Sequence, residues 1–442
     1  MGNTAPPSSG GSPPAHTASK LLALLLAGVG SVALVGGIAA LVILSILQQS
    51  SRPAAPIVTE EITLVLWIHD NAQGDQVTAL ANAFQAQYPN LSIQVTSYSA
   101  ETLLQILQDP LTADRGPDVL WATNEHTSLF TTADIVQPVD KLGFELELFL
   151  PSLLEAVRLD GKTWGVPLSA HNNLMLLYNK DLVQAPPQDT QALITLAQEL
   201  SRAGVQGFAY YLDEPFWLAP WLGGYDGAVF ERGGGAPSLD TAAMRHSLQL
   251  LHDFKFKHAI VPQTCDYVCA DSLFKQGKAA MIINGDWALA EYVQALGDKL
   301  GAAPIPQVSG VGWPQPYVSG TFLMFPKKAS GDKLNAAKLL ALYATSEELS
   351  LCPTTASYSC LPAVKNLLAD EAITGDPLLA GAAQALQHST ALPPQDEMSC
   401  VWEAMRPALV AVMADKLSPA EAAAAMQAAA ETCIAGKEQP LP

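Results

Sequence analysis

Positive charge is what this sequence has least of. Lys and Arg number 23 against 42 Asp and Glu in 442 residues, for a formal net charge of −19. Binding a phosphate backbone needs a basic stripe, and none is present, so no nucleic-acid partner is expected. The same acidity argues against adhesion to anionic headgroups and fits a solvated surface. Common catalytic motifs are missing too: there is no GxSxG elbow, no HExxH, no P-loop, and no GxGxxG after a strand. Gly233-Gly234-Gly235 stands alone and reads as a turn, while His69, His126 and His171 are scattered and read as structural or solvent-facing. No CxxC occurs, and no histidine lies at ligand spacing beside a cysteine, which argues against zinc. No cofactor and no metal are expected.

What the chain does have is one long run without charge. Leu21–Leu47 is 27 residues of apolar and small side chains. As a helix it is roughly 40 Å long, enough to cross a ~30 Å hydrocarbon core. Signal-peptide apolar regions are shorter, about 7–15 residues, so the run reads as a permanent anchor. Late cleavage near Ala39–Ala40 or at Ser50 is the alternative. Lys20 and Arg52 flank the span and leave the positive-inside rule nearly silent. Residues 1–19, rich in Pro, Ser and Gly, read as a disordered tail, 20–47 as the anchor and 48–60 as a linker.

Six cysteines lie beyond the anchor: Cys265, Cys269, Cys352, Cys360, Cys400 and Cys433. An even count there fits disulfides in an oxidising compartment. Six allow fifteen pairings, and sequence cannot choose among them. Closeness in the chain favours Cys265–Cys269, Cys352–Cys360 and Cys400–Cys433.

The body opens with Ile62–Ile68, a nearly continuous apolar run that suits a strand buried on both faces. Val77, Leu80, Ala81, Phe84 and Tyr88 then share one helical face, and Pro89 ends it. Leu91, Ile93 and Val95 alternate as a second strand, 101–107 reads as a helix, and 118–122 as a third strand. This alternation is α/β architecture, with ligands expected at the carboxyl ends of the strands. Further on, 243–258 and 334–344 read as helices and 279–283 as a buried strand. Ser418-Pro419-Ala420-Glu421 carries a capping box at a helix start.

All eight tryptophans lie beyond the anchor, and several sit at or past strand ends beside polar residues: Trp121 near Asn124-Glu125, Trp217 after Glu214-Pro-Phe216, Trp287 after Asn284-Gly-Asp286. Sugars present an apolar C–H face and a rim of hydroxyls, so they are held by aromatic plates beside carboxylates and amides.

Gly161-Lys-Thr-Trp-Gly-Val-Pro-Leu168 with Leu176-Leu-Tyr-Asn-Lys-Asp-Leu182, and Phe274-Lys-Gln-Gly277 through Asn284-Gly-Asp-Trp287, resemble two segments of the extracellular solute-binding proteins of ABC transporters, maltose/sugar-binding type (family 1). The opening strand with Gly116-Pro-Asp-Val119 also fits, and the likeness runs from about residue 60 to 435. It implies an α/β, two-lobed periplasmic-binding-protein-like fold of the class II type behind the N-terminal transmembrane helix. The lobes would be 61–170 plus 323–362 and 171–322 plus 363–437, with crossings near 170, 322 and 363. It also implies a monomer with no catalytic activity, capturing a mono- or oligosaccharide and passing it to ABC permease subunits. The anchor would hold it at the plasma membrane as a single pass, with the body on the extracytoplasmic side.

By that likeness, ligand contacts come from Asn71, Trp121, Asn124, Glu125, Asn172, Glu214, Phe216, Trp287 and Trp402. Phe216, Trp287 and Trp402 would stack on pyranose faces, while Glu125, Glu214, Asn124 and Asn172 would bind hydroxyls. Several charged family positions are changed here: Asn71-Ala72 stands for an acid–lysine pair, Asn124-Glu125 for an acid–arginine pair, and Asn172 for an acid. Those changes argue against maltose itself and leave a sugar in place. The six cysteines and the long anchor also depart from the maltose-binding archetype. The competing readings are a receptor for another small polar solute (a polyamine or a metal chelate, with Tyr210-Tyr211 as the iron-type pair) and a membrane-tethered sugar sensor. A glycosidase drawing on Asp70, Glu125, Glu214 or Asp286 is the enzymatic alternative.

Overall fold

The computed structural model describes residues 56–68, 74–97, 116–231, 235–346 and 360–437. The expected tail and anchor, the 101–107 helix, Asn71 and Cys352 lie outside the described residues. Among the described residues no helix is long and apolar enough to cross a membrane.

Two sheets organise the body. The first runs, edge to edge, Leu91–Ser97, Ile62–Ile68, Val119–Thr123, Tyr317–Pro326, Val166–His171 and Leu361–Pro362. Its first three strands are parallel, and Tyr317–Pro326 is antiparallel to both of its neighbours in that order. Ile62–Ile68 is central because its apolar residues face both ways, with Leu64, Leu66, Trp67 and Ile68 all buried. The helix over Gly74–Gln87 buries Val77, Leu80, Ala81 and Phe84, the face read from its period. Asp118 ties the layer together: its carboxylate accepts the Val65 N–H at 2.9 Å and the Lys333 ammonium at 3.0 Å, from the Gly331–Ala344 helix.

The second sheet runs Leu300–Ala303, Leu174–Asn179, Ala279–Gly285, Gln206–Ala209. Its strands alternate between two hydrophobic clusters: Leu174 and Leu176 pack in one, Met175 and Leu177 in the other. The chain passes from the first sheet to the second through Asn172 and Asn173. Asn172 takes φ = +59°, a left-handed conformation that asparagine tolerates better than most residues. The long strand Tyr317–Pro326 pairs first with Thr390–Ala391, from Tyr317, and then with Val166–His171 from Ser319.

Disulfides join Cys265 to Cys269 and Cys400 to Cys433, and Cys360 is disulfide-bonded as well. The Cys400–Cys433 bond staples the Met398–Met413 helix to the Pro419–Lys437 helix. The second of these starts with the expected capping box: Ser418 N–H donates to the Glu421 carboxylate at 2.9 Å, and Glu421 N–H to the Ser418 hydroxyl at 3.3 Å.

Candidate functional site

The site grows from three chain segments that end on the same patch of the second lobe. Glu214 is extended at the start of the Pro215–Gly224 helix, and Pro215 fills the first helical position, where its missing N–H costs nothing. That start leaves Phe216 half-buried at the surface and turns Trp217 inward, where its indole N–H donates to the Ile283 carbonyl at 3.0 Å. The Ala279–Gly285 strand ends in a 3-10 turn, Asp286–Ala288, which lifts Trp287 to 37% exposure. Gly285 is required there: a Cβ on it would sit 1.9 Å from the Trp287 ring, so only glycine lets the indole fold back over the strand end. Trp402, on the Met398–Met413 helix, is the third contributor.

Phe216 is the hub. Its ring centroid lies 6.3 Å from Trp287, 6.4 Å from Trp402 and 6.4 Å from Tyr317, while Tyr317 and Trp402 are 6.1 Å apart. Trp217 stands 6.0 Å behind Trp287 and 5.9 Å from Tyr267, whose hydroxyl accepts the Trp287 indole N–H at 3.0 Å. The platform has a charged edge. Both guanidinium nitrogens of Arg406 donate to the Glu214 carboxylate, Nη2 to Oε1 at 3.1 Å. This hydrogen bonding raises the Arg406 pKa.

Asp286 performs a different task. Its buried carboxylate accepts the backbone N–H of Asn172 at 3.1 Å and of Asn173 at 3.4 Å, pinning the passage between the sheets to the strand end that carries Trp287. Burial pushes this carboxyl up to about 7, against the opposing pull of the N–H donors.

Of the residues expected to hold ligand, the structure brings Glu214, Phe216, Trp287 and Trp402 together, and it sets Asn172 against Asp286. Asn124 and Glu125 stand at the carboxyl end of Val119–Thr123 in the other lobe. Glu125 is exposed. Asn124 is fully buried, with Oδ1 accepting the Gly320 N–H at 3.2 Å and Nδ2 lacking a partner among the described residues. Trp121 is 5% exposed and packs in a hydrophobic cluster with its strand neighbours. Tyr210 is likewise core. Its hydroxyl donates to the Trp217 carbonyl and accepts the Trp221 indole N–H, so it is occupied within the protein. Among the described residues no group of three His, Cys, Asp or Glu could hold a metal.

Sequence reasoning missed Tyr317, Tyr267 and Arg406. Arg406 carried a readable signal, since it follows Trp402 by four residues and so shares its helix face. Tyr317 and Tyr267 carried none, because a strand start and a helix start far apart in the chain bring them in. A hollow of about 670 Å³ adjoins the platform at Tyr317, lined also by Arg158, Asp160, Gly223, Phe230 and Gln395, whose buried Oε1 lacks a partner among the described residues.

Comparison with known proteins gives a consistent picture. The profile of the family described as bacterial extracellular solute-binding protein matches residues 79–381. The maltotriose-binding protein of Pyrococcus abyssi is 25% identical over 366 residues, 80% of this chain and 78% of its own. The galactooligosaccharide-binding protein of Bacillus subtilis is 23% identical, over 84% of this chain and 88% of its own. Among solved structures, the maltose/maltodextrin-binding domain of Bdellovibrio bacteriovorus, bound to maltotriose, is 29% identical with a TM-score of 0.64, covering 85% of this chain and 100% of that one. A cyclo/maltodextrin-binding protein complexed with maltotetraose superposes with a TM-score of 0.74 at 23% identity, covering 86% of this chain and 99% of its own.

Proposed function

The chain belongs to the bacterial extracellular solute-binding proteins, and on that premise we propose that it captures a sugar or oligosaccharide between its two lobes for an ABC importer. The observation that carries this reading is the platform of Phe216, Trp287, Trp402 and Tyr317, edged by the Glu214–Arg406 pair. Aromatic faces match the C–H faces of pyranoses, and a carboxylate beside a guanidinium accepts and donates to their hydroxyls. The names of the relatives, binders of maltotriose and of galactooligosaccharide, support the same class.

Glu214 and Arg406 bind hydroxyls, and Phe216, Trp287 and Trp402 stack. Asn71, Glu125, Asn124 and Asn172 complete the site from the first lobe and the passage. The lobes are 61–170 plus 323–362 and 171–322 plus 363–437. Closure brings them together because the ligand adds contacts in the closed state, shifting an existing equilibrium. The closed receptor then docks on the permease, with no bond of the sugar broken. Leu21–Leu47 anchors the protein in the plasma membrane with its body outside, raising its concentration near the permease.

A thermal-shift screen of the full chain in detergent tests the ligand class, against malto- and galacto-oligosaccharides, trehalose, spermidine and ferric citrate. Sugar at about a hundred times its dissociation constant should stabilise the fold by ~2.7 kcal/mol, with the sugar recovered intact on chromatography. A shift with spermidine or iron alone overturns the sugar reading, and hydrolysed sugar overturns the receptor reading.

A further inference from the structure

The Cys265–Cys269 disulfide closes a sequence separation of 4 and sits across the first turn of the Tyr267–Lys275 helix. Asp266, between the two cysteines, caps that turn, and Tyr267 is its first helical residue. We propose that this disulfide is a reducible clamp on the platform, acting through Tyr267 on Trp287, so that sugar affinity depends on its redox state. This inference rests on the sugar reading above.

Three observations carry it. The first is where the bond lies. Cys265 stands immediately before the Asp266 cap, and Cys269 lies in the first helical turn after it. A bond between those positions does covalently what a hydrophobic staple does by packing: it fixes how the chain enters the helix. Other support at this start is thin. The helix has 9 residues, a length at which helices do not hold by themselves. Asp266, whose Oδ1 accepts the Cys269 N–H at 2.9 Å, is exposed.

The second is what the turn carries. The Tyr267 hydroxyl accepts the Trp287 indole N–H at 3.0 Å and the Asn284 Nδ2–H at 3.4 Å, both from the end of the Ala279–Gly285 strand and the turn after it. Its ring meets Trp217 at 5.9 Å and Tyr211 at 6.4 Å, edge-on in each case. Lengthening the indole bond by about 0.6 Å loses it. A shift of the helix start therefore reaches the most exposed plate directly.

The third is access. Both cysteines are half-buried, and Gln263, Thr264, Asp266 and Val268 around them are exposed. The pair also lines an open hollow of about 590 Å³. Cys400, by contrast, is fully buried, and Cys360 is 7% exposed. Exchange requires a thiolate to reach a sulfur, so an external dithiol attacks the Cys265–Cys269 bond first. The S–S bond breaks, the two cysteines together take up two electrons and two protons, and the dithiol closes to its own disulfide. The turn then keeps its Asp266 cap and loses its covalent tie.

The test uses the full chain in detergent before and after mild dithiothreitol, with alkylation and mass mapping to show which cysteines are reduced. Two quantities are read: calorimetric affinity for malto- and galacto-oligosaccharides, and acrylamide quenching of tryptophan fluorescence. Reduction of Cys265–Cys269 should weaken sugar binding about three- to tenfold and raise quenching, and reoxidation should restore both. Cys265→Ser with Cys269→Ser should match the reduced protein and ignore the dithiol. Should that pair fail to fold, reduction and reoxidation of the unaltered protein make the same comparison. Tyr267→Phe, which lacks the hydrogen bond from the start, should show no further loss of affinity on reduction. Trp287→Phe should lose the change in quenching, and Cys400→Ser with Cys433→Ser should respond like the unaltered protein. Resistance of the bond to the dithiol, unchanged affinity and quenching after its reduction, or an equal loss in Tyr267→Phe overturns the clamp alone. No binding of either sugar series overturns the sugar reading, and quenching then decides whether the disulfide holds Trp287.

Discussion

The Trp287 indole N–H donates to the Tyr267 hydroxyl at 3.0 Å, so the most exposed plate of the platform is held in orientation by a residue twenty positions earlier. Trp287→Ala should therefore lose both stacking area and that orientation. The expected cost is about 1–3 kcal/mol of sugar affinity. Tyr267→Phe keeps the area and removes one hydrogen bond, so its cost should be nearer 0.5–1.5 kcal/mol. Calorimetric titration of both variants checks the order, and equal losses would contradict it.

Glu214 and Arg406 come from separate segments and meet in a two-pronged ion pair. The Arg406 side chain is 50% exposed, so its contribution to stability should stay under about 1 kcal/mol. Sugar affinity is the more sensitive quantity. Glu214→Gln and Arg406→Met should each weaken binding about tenfold, and the double variant should lose less than the sum. Additive losses in the cycle would mean the two groups act on the ligand separately.

Asp286 makes stability depend on pH. Its folded pKa of about 7 stands above the ordinary value of 3.8, so between these limits the folded state binds more protons than the unfolded one. Stability from this group is fully present below pH ~4 and falls as pH rises toward 7, by at most about 4 kcal/mol. Above pH 7 the loss is complete and constant. Urea unfolding at a series of pH values should show that slope, and Asp286→Asn should flatten it.

Removing the Cys400–Cys433 bond, by Cys400→Ser with Cys433→Ser, frees a sequence separation of 33 residues. Loop-closure entropy puts the cost near 3–4 kcal/mol. A fall in the thermal midpoint with unchanged sugar affinity is expected, because the staple joins two helices and neither cysteine belongs to the platform. Affinity falling together with the midpoint would show that it also positions Trp402.

The elements were legible where one period dominated. Ile62–Ile68 and Gly74–Gln87 follow from apolar spacing alone, and the capping box at Ser418 from four consecutive residues. The burial of Trp121 was not legible, for a physical reason. A tryptophan near a strand end beside Asn124-Glu125 has the same local signature whether its indole faces solvent or the layer behind. Only the packing of the first sheet decides, and it buries Trp121.

By itself the sequence determined the acidic composition and the strand–helix alternation, which rest on residue counts and periodicity. Closeness in the chain favoured the Cys265–Cys269 and Cys400–Cys433 pairings without choosing them, and Phe216, Trp287 and Trp402 were singled out together by resemblance to a known family. The tertiary structure alone decided that Tyr317 joins Phe216, that Arg406 meets Glu214, and that Asp286 holds the passage at Asn172. Those contacts join residues 101, 192 and 114 positions apart. No local propensity encodes such distances. They follow from two sheets burying their apolar faces at once, which fixes where the strand ends and helix starts must meet.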